Sequence, residues 1–219
     1  MKKGGEIMDV DKVLGSIEWL GHDTFRISWE GRVIYFDPFK LSAGSPAADI
    51  ILVTHEHFDH CSAEDIAKIK KEDTVVVTEP MSARDLGDEA KVVEPGEKIT
   101  VKGFSIEAVV SYNIGKTFHP RDNKWLGFII TIGGCRVYHA GDTDYIPEMK
   151  DMKADIALLP VSGTYVMTAE EAVQAALDIK PRVAIPMHYG DIVGEQSDAE
   201  RFASGLQGKV RVEILEQKQ

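Results

Sequence analysis

Cysteine is scarce in this chain: Cys61 and Cys135, the two in 219 residues, stand far apart and form no C-x-x-C pair. That excludes a disulfide-rich scaffold and a four-thiolate zinc knuckle. Positive charge is also short, since 25 lysines and arginines against 36 aspartates and glutamates leave a formal net charge of −11. Phosphate-backbone binding depends on clustered cations, so nucleic acid is not an expected partner. No run approaches the roughly 18 apolar residues of a membrane span. The opening MKKGGEIMDVDKV lacks the apolar core of about 7–15 residues that marks a secretory signal. The expectation is a cytoplasmic protein with no membrane partner. Also missing are the phosphate-cradling G-x-x-x-x-G-K loop, the dinucleotide G-x-G-x-x-G and the G-x-S-x-G nucleophile elbow. What remains is an ordinary globular composition, 43% hydrophobic and 28% charged, for which one domain over residues 1–219 is the working assumption.

Short β-rich runs recur at Gly15–Trp19, Thr24–Trp29, Arg32–Phe36, Ile50–Val53, Thr74–Thr78, Lys98–Val101 and Phe104–Val110, separated by turn dipeptides such as Glu30-Gly31 and Lys102-Gly103. Further runs follow at Gly127–Ile132, Arg136–His139, Ile156–Pro160, Val183–Pro186 and Val210–Leu215. Capping chemistry marks helices opening at Ser62-Ala63-Glu64-Asp65, Thr168-Ala169-Glu170-Glu171 and Ser197-Asp198-Ala199-Glu200. Strand groups punctuated by helices predict interior sheets with helices outside. The polar clusters then fall on strand-to-helix loops, at Thr54–Cys61, Gly141–Tyr145 and Met187–Asp191.

The densest cluster, His55-Glu56-His57-Phe58-Asp59-His60, stands directly behind the apolar run Ile50–Val53. In an extended segment His55 and His57 have Cα atoms about 6.6 Å apart on one side, close enough to pinch a single cation. Asp59 continues that alternation, and a turn before the Ser62 cap brings His60 to a second, adjacent site. Unpaired polar groups beside a core are costly. A metal centre of one or two ions therefore explains the cluster better than side-chain solvation does. Imidazole with carboxylate, and no thiolate quartet, suits zinc first, with manganese or iron as alternatives.

Thr54-His55-Glu56-His57-Phe58-Asp59-His60 resembles the metal-binding signature of the metallo-β-lactamase superfamily. Gly141-Asp142-Thr143 after one strand, and Pro186-Met187-His188-Tyr189-Gly190 after a later one, stand in the order that family shows. Trp19-Leu20-Gly21-His22-Asp23-Thr24-Phe25 and Phe36-Asp37-Pro38 resemble the opening of its branch of small hydrolases similar to the ascorbate-6-phosphate lactonase. The likeness covers nearly the whole chain. It implies an α/β fold: a four-layer αβ/βα sandwich with two central mixed sheets and outer helices. It also implies that His55 and His57 hold one ion and that Asp59, His60 and His188 hold the second, with Asp142 as a bridge. The third histidine that the family places just after a strand is Asn113 here. Either Asn113 contributes a weak amide oxygen, or His119 swings in from the following loop; His119 is preferred because Gly115 lets that loop fold back.

Other positions carry two readings each. His139 orients a ligand by hydrogen bonding or is a satisfied core histidine. His22 lines the pocket, as the resemblance implies, or is structural. Asp37 orients a ligand imidazole or starts the Asp-Pro turn. Cys61 joins the site or is a small buried thiol.

The resemblance implies a metal-dependent hydrolase that directs metal-bound hydroxide at an ester, lactone, amide or phosphodiester of a small-molecule substrate. Asp59 would accept the proton, and His188, Tyr189 or a second water would assist the leaving group. An iron-dependent oxidoreductase on the same fold and a non-catalytic metal-binding module remain as alternatives. Lys116, His119, Arg121 and Lys124 interleave with Tyr112, Phe118 and Trp125, the one locally cationic, aromatic stretch. It is a lid for an anionic substrate or a solvated loop anchored by its aromatics. A homo-oligomer stays open.

Overall fold

The computed structural model describes residues 9–87 and 90–218; Met1–Met8, part of the segment read above for a missing signal core, lie outside them. After a short helix α1 (Val10–Leu14), strands β1 (Ile17–Gly21), β2 (Thr24–Trp29) and β3 (Arg32–Phe36) form an antiparallel meander. β4 (Ile50–Leu52), β5 (Val75–Thr78) and β6 (Lys91–Val92) extend it in parallel, connected by α2 (Ala63–Ile69) and α3 (Pro80–Leu86). The second sheet repeats the plan. β7 (Lys98–Val101), β8 (Phe104–Val110), β9 (Leu126–Ile132) and β10 (Cys135–His139) are antiparallel. β11 (Ile156–Pro160), β12 (Val183–Met187) and β13 (Arg211–Val212) then add in parallel, through α4 (Ala169–Ile179) and α5 (Gln196–Gly205).

The layers follow from strand alternation. Ile34, Phe36, Ile50, Leu52 and Val77 face the core shared by both sheets, while Tyr35, Ile51, Val53 and Val76 face the other way, onto Ile66 and Ile69 of α2. Each central strand is buried on both faces, which is why its sequence is a continuous apolar run. On the far side α4 and α5 pack on each other and on β11 and β12. The result is the expected αβ/βα sandwich of two mixed sheets.

Most expected strands are present. The first is shifted to Ile17–Gly21 because α1, capped by Asp9, occupies the preceding residues. In the last, only Arg211–Val212 pairs, and Ile214 and Leu215 pack on the core without a ladder. α5 starts at Gln196 instead of after Ser197, because the Asp198 carboxylate reaches back to the Glu195 amide (2.8 Å). Among the described residues no helix is long and apolar enough to cross a membrane.

The pairing directions position the site. In the first sheet β1, β3 and β4 run the same way, and in the second β8, β10 and β12 do. Their carboxyl ends deliver His22, Asp37, His55–His60, Asn113, Asp142 and His188 respectively. Strand ends of this kind are where α/β sheets place their ligands.

Candidate metal centre

Three overlapping groups of candidate ligands lie at this rim, buried except for the half-buried His57, each with its atoms within 4.8 Å of one another: His55, His57 and His119; His55, His60 and Asp142; and His22, Asp23, His60 and His188. Asp142 sits among them. Its Oδ2 lies 3.1 Å from His119 Nε2 and 3.4 Å from His188 Nε2, and its Oδ1 lies 3.5 Å from His60 Nε2. Asp59 Oδ2 is 3.8 Å from His60 Nε2 and 3.1 Å from His22 Nε2. His22 is thus a direct neighbour of Asp59, with its ring 4.2 Å from that of His188.

The other nitrogen of each imidazole explains how the rings are aimed. Thr54 donates its hydroxyl proton to Asp37 (2.7 Å), so it can only accept from His55 Nδ1 (2.9 Å), which leaves the His55 Nε2 lone pair facing His57 Nδ1 at 3.0 Å. His60 Nδ1 donates to the same Asp37 carboxylate at 2.8 Å, leaving its Nε2 without a partner. His119 Nδ1 donates to the Asn113 amide oxygen (3.1 Å), and its Nε2 also has no hydrogen-bond partner. His188 Nδ1 meets the Ser162 hydroxyl at 2.8 Å. Such outer partners fix tautomer and orientation in metal sites generally.

Asn113 therefore stands behind His119: its side-chain oxygen takes the His119 ring and backbone amide protons, and its backbone N–H donates to the His119 carbonyl (2.7 Å). Asp144 anchors this loop, accepting from the Asn113 side chain (3.1 Å), the Ile114 amide (2.8 Å) and Lys116 (2.6 Å). Trp125 packs against His55, His57 and His119 at 4.8, 4.8 and 5.3 Å between ring centroids.

Backbone geometry adds tension. His22, Asp37 and His188 all have left-handed backbones, with φ of +49°, +41° and +61°. Such conformations cost on the order of 1–3 kcal/mol each in non-glycine residues and persist where surroundings over-determine them. Here the His22 carbonyl accepts both the Trp19 indole (2.8 Å) and the His188 amide (3.2 Å).

The electrostatics ask for a cation. Burial holds His55 well below its usual pKa, with further lowering from His60, so it is a neutral donor. Burial also pushes His60 down, yet Asp142 and Asp37 outweigh it and drive the ring toward protonation. Burial pushes Asp142 up, but His188 and His60 hold it well below the usual carboxylate range. Open Nε2 atoms and an ionised Asp142 turned toward one another are a donor set that a divalent cation fits.

Other expected residues behave differently. His139 is a core residue: it donates from Nε2 to the Asp23 carbonyl (2.8 Å), accepts the Gly141 amide at Nδ1 (3.2 Å) and stacks on Phe36, so it holds the turn before Asp142 without touching it. Tyr189 stacks on Trp19 instead of on the imidazoles, and burial pushes its hydroxyl up to about 12. Cys61, half-buried, packs against the apolar cluster around Tyr35, Ile51 and Ile66, and burial likewise pushes its thiol up to about 12. The cationic stretch is internally neutralised: Lys116 pairs with Asp144, Arg121 with Glu148 (2.7 Å) and Lys124 with Glu94 (3.1 Å).

Sequence reasoning missed Asp23, fully buried with both carboxylate oxygens unpartnered beside His60, along with Ser162 and Asp144. Asp144 had a signal in the acidic repeat of Gly141-Asp142-Thr143-Asp144, and Asp23 stood inside the Trp19–Phe25 motif without being singled out.

A family model described as a β-lactamase superfamily domain matches residues 16–188. Together with the two-sheet sandwich and the histidine-aspartate rim, this match shows that the chain belongs to the metallo-β-lactamase superfamily. It is 35% identical over 219 residues to the UPF0173 metal-dependent hydrolase of Thermoplasma acidophilum, covering 91% of this chain and 93% of that one. A solved structure from Parabacteroides distasonis, described as a candidate metal-dependent hydrolase, superposes with a TM-score of 0.84 at 37% identity, covering 92% of this chain and 93% of its own. Igni18, a metallo hydrolase of Ignicoccus hospitalis, shares the fold at a TM-score of 0.75 and 24% identity, covering 93% and 95%.

Proposed function

We propose that this protein is a divalent-metal-dependent hydrolase acting on a small-molecule ester, lactone, amide or phosphodiester in the cytoplasm. The observation that carries the reading is that the outward nitrogens of His55, His60 and His119 are each committed to a fixed partner while the inward ones face Asp142 and one another. The names of the relatives support the same activity. His55, His57 and His119 would hold one ion, Asp59, His60 and His188 the other, and Asp142 would lie between. Asp37, Asp59 and Asp142 bring carboxylates to this rim, while burial, aided by the neighbouring Asp142, pushes the Asp23 carboxyl well above its usual range. Zinc is the proposed metal, with manganese or iron next on donor chemistry.

Bound by these residues, a divalent cation would supply hydroxide by lowering the pKa of water from about 15.7 to roughly 7, and would polarise the target carbonyl or phosphoryl oxygen. Asp59 is the proton acceptor. Burial raises its pKa, but the His22 hydrogen bond and the His60 charge outweigh that and keep it ionised. His22 holds that carboxylate in place, and His188, oriented by Ser162, faces the leaving group.

Elemental analysis of purified protein beside a panel of p-nitrophenyl esters, lactones, anilides and bis-p-nitrophenyl phosphate tests this. Turnover that chelator removes, that added metal restores and that Asp59→Asn lowers at least a hundredfold supports the proposal. A metal-free protein or chelator-insensitive turnover overturns it.

A further inference from the structure

The apolar side chains left in water are not scattered over this molecule. Among the described residues five large hydrophobics are exposed, and four of them, Phe58 (68%), Ile114 (54%), Phe118 (48%) and Ile192 (37%), lie on the loops that carry the metal-centre residues. Phe58 separates His57 from Asp59, Phe118 precedes His119, Ile114 follows Asn113, and Ile192 stands four positions beyond His188. The His57 and His119 rings are 5.0 Å apart, so the loops that carry Phe58 and Phe118 come together at the centre. Phe39 joins the apolar rim to the site, with its ring edge-on to Phe58 at 5.8 Å and to His22 at 6.4 Å; Phe118 meets Tyr165 at 4.7 Å.

The charges on these loops tell the complementary story. Lys40 pairs with Asp191 at 2.7 Å, Lys116 with Asp144 at 2.6 Å, Arg121 with Glu148 at 2.7 Å and Lys124 with Glu94 at 3.1 Å. Each cation already has a carboxylate, on a chain of net charge −11. An anionic substrate would have to displace those partners; an apolar one needs only to cover exposed carbon. Surface patches of this kind, next to a polar centre, mark where a ligand's non-reacting part is bound.

We propose that the substrate of this centre is uncharged and carries an aliphatic or aromatic body that seats on Phe39, Phe58, Ile114, Phe118 and Ile192. This rests on the hydrolase reading above and narrows it from bond type to substrate class. The reacting group lies over Asp142, and the body lies between the Phe58 and Phe118 loops.

The test is a p-nitrophenyl ester series from acetyl to octanoyl, with an adipoyl monoester whose free carboxylate makes it anionic, run on metal-loaded protein. An apolar seat gives kcat/KM rising about tenfold or more along the neutral series, since a few methylenes in an apolar pocket confer such factors, and at least a tenfold loss for the anionic ester. Phe58→Ala and Phe118→Ala together collapse the octanoyl-to-acetyl ratio to near unity with metal content unchanged. Binding of the neutral fluorophore N-phenyl-1-naphthylamine, measured in parallel, separates the two levels: no turnover of any ester, but fluorophore binding that the double variant abolishes, sinks the hydrolase reading and keeps the apolar seat. A flat series, a preference for the anionic ester, or fluorophore binding indifferent to both substitutions overturns the inference. So does sedimentation showing that the wild-type protein is a dimer that the double variant dissociates, because the face would then be covered by a second copy.

Discussion

An imidazole can offer a cation only one nitrogen at a time, so the residue on its other nitrogen decides whether it is a ligand at all. Asn113 and His119 show the consequence. His119 presents Nε2 to Asp142 because Asn113 holds its Nδ1 proton, so the two residues are one functional unit with unequal parts. Under the proposed ligand set, His119→Ala removes one ion, whereas Asn113→Ala keeps the stoichiometry and weakens affinity about 10–100-fold, the usual cost of losing a partner behind a metal ligand. Competition with a chelating dye, read beside elemental analysis, distinguishes them; equal metal loss in both variants would make Asn113 a ligand in its own right. At this scale the sequence was informative where chemistry is dense and local. His55, His57 and His60 were visible as a cluster, and His119 as the loop histidine nearest to the missing position. Asp23 was not, because a lone aspartate in a β-turn is indistinguishable from a solvated one until burial is known.

At the scale of elements, the turn after β10 is held by one residue that admits no side chain. Gly141 has φ of +61°, and a Cβ there would lie 2.8 Å from the Leu126 carbonyl and 3.1 Å from Thr54 Cγ2. Gly141→Ala must therefore strain the backbone and push apart the loop that carries His55 and the turn that carries Asp142. We expect a loss of about 2–4 kcal/mol, in the range of substitutions that strain a special backbone position, read as a fall of several degrees or more in Tm together with reduced metal content. An unchanged Tm would show that the turn can relax. The strands β2, β3, β7, β8 and β11 were legible with their observed limits because alternation or a continuous apolar run is repeated over several residues. The helices α1 and α3 and the two-residue β6 were not, since each is shorter than the window over which periodicity is meaningful.

For the molecule as a whole, acid stability depends on carboxylates far from the centre. The Arg136 guanidinium, outweighing partial burial and aided by Lys98, brings Glu107 from its ordinary 4.5 down to about 2. A carboxylate lowered on folding contributes stability that is fully present above its unfolded value and is lost as pH falls through its folded one. For Glu107 that window runs from about 4.5 down to about 2. Glu107→Gln should lower Tm at pH 7, and its difference from wild type should shrink as pH falls through the window; a difference that stays constant would contradict this. No sequence pattern announces the pairing of Glu107 with Arg136, and the same holds for the rim. Six strand ends drawn from both halves of the chain meet there because two sheets stack in register, a relation between distant segments that local periodicity does not encode.

That shared rim has a mechanical corollary. Since β1, β3 and β4 belong to one sheet and β8, β10 and β12 to the other, any ion gripped between His60, Asp142 and His188 rivets the two sheets together. Unfolding would have to tear that rivet out, so the melting temperature should climb with the logarithm of free metal concentration, by about 2.7 kcal/mol of added stability at a hundred times the dissociation constant. Calorimetry at graded zinc concentrations would show a plateau from the first addition if the sheets held together without it.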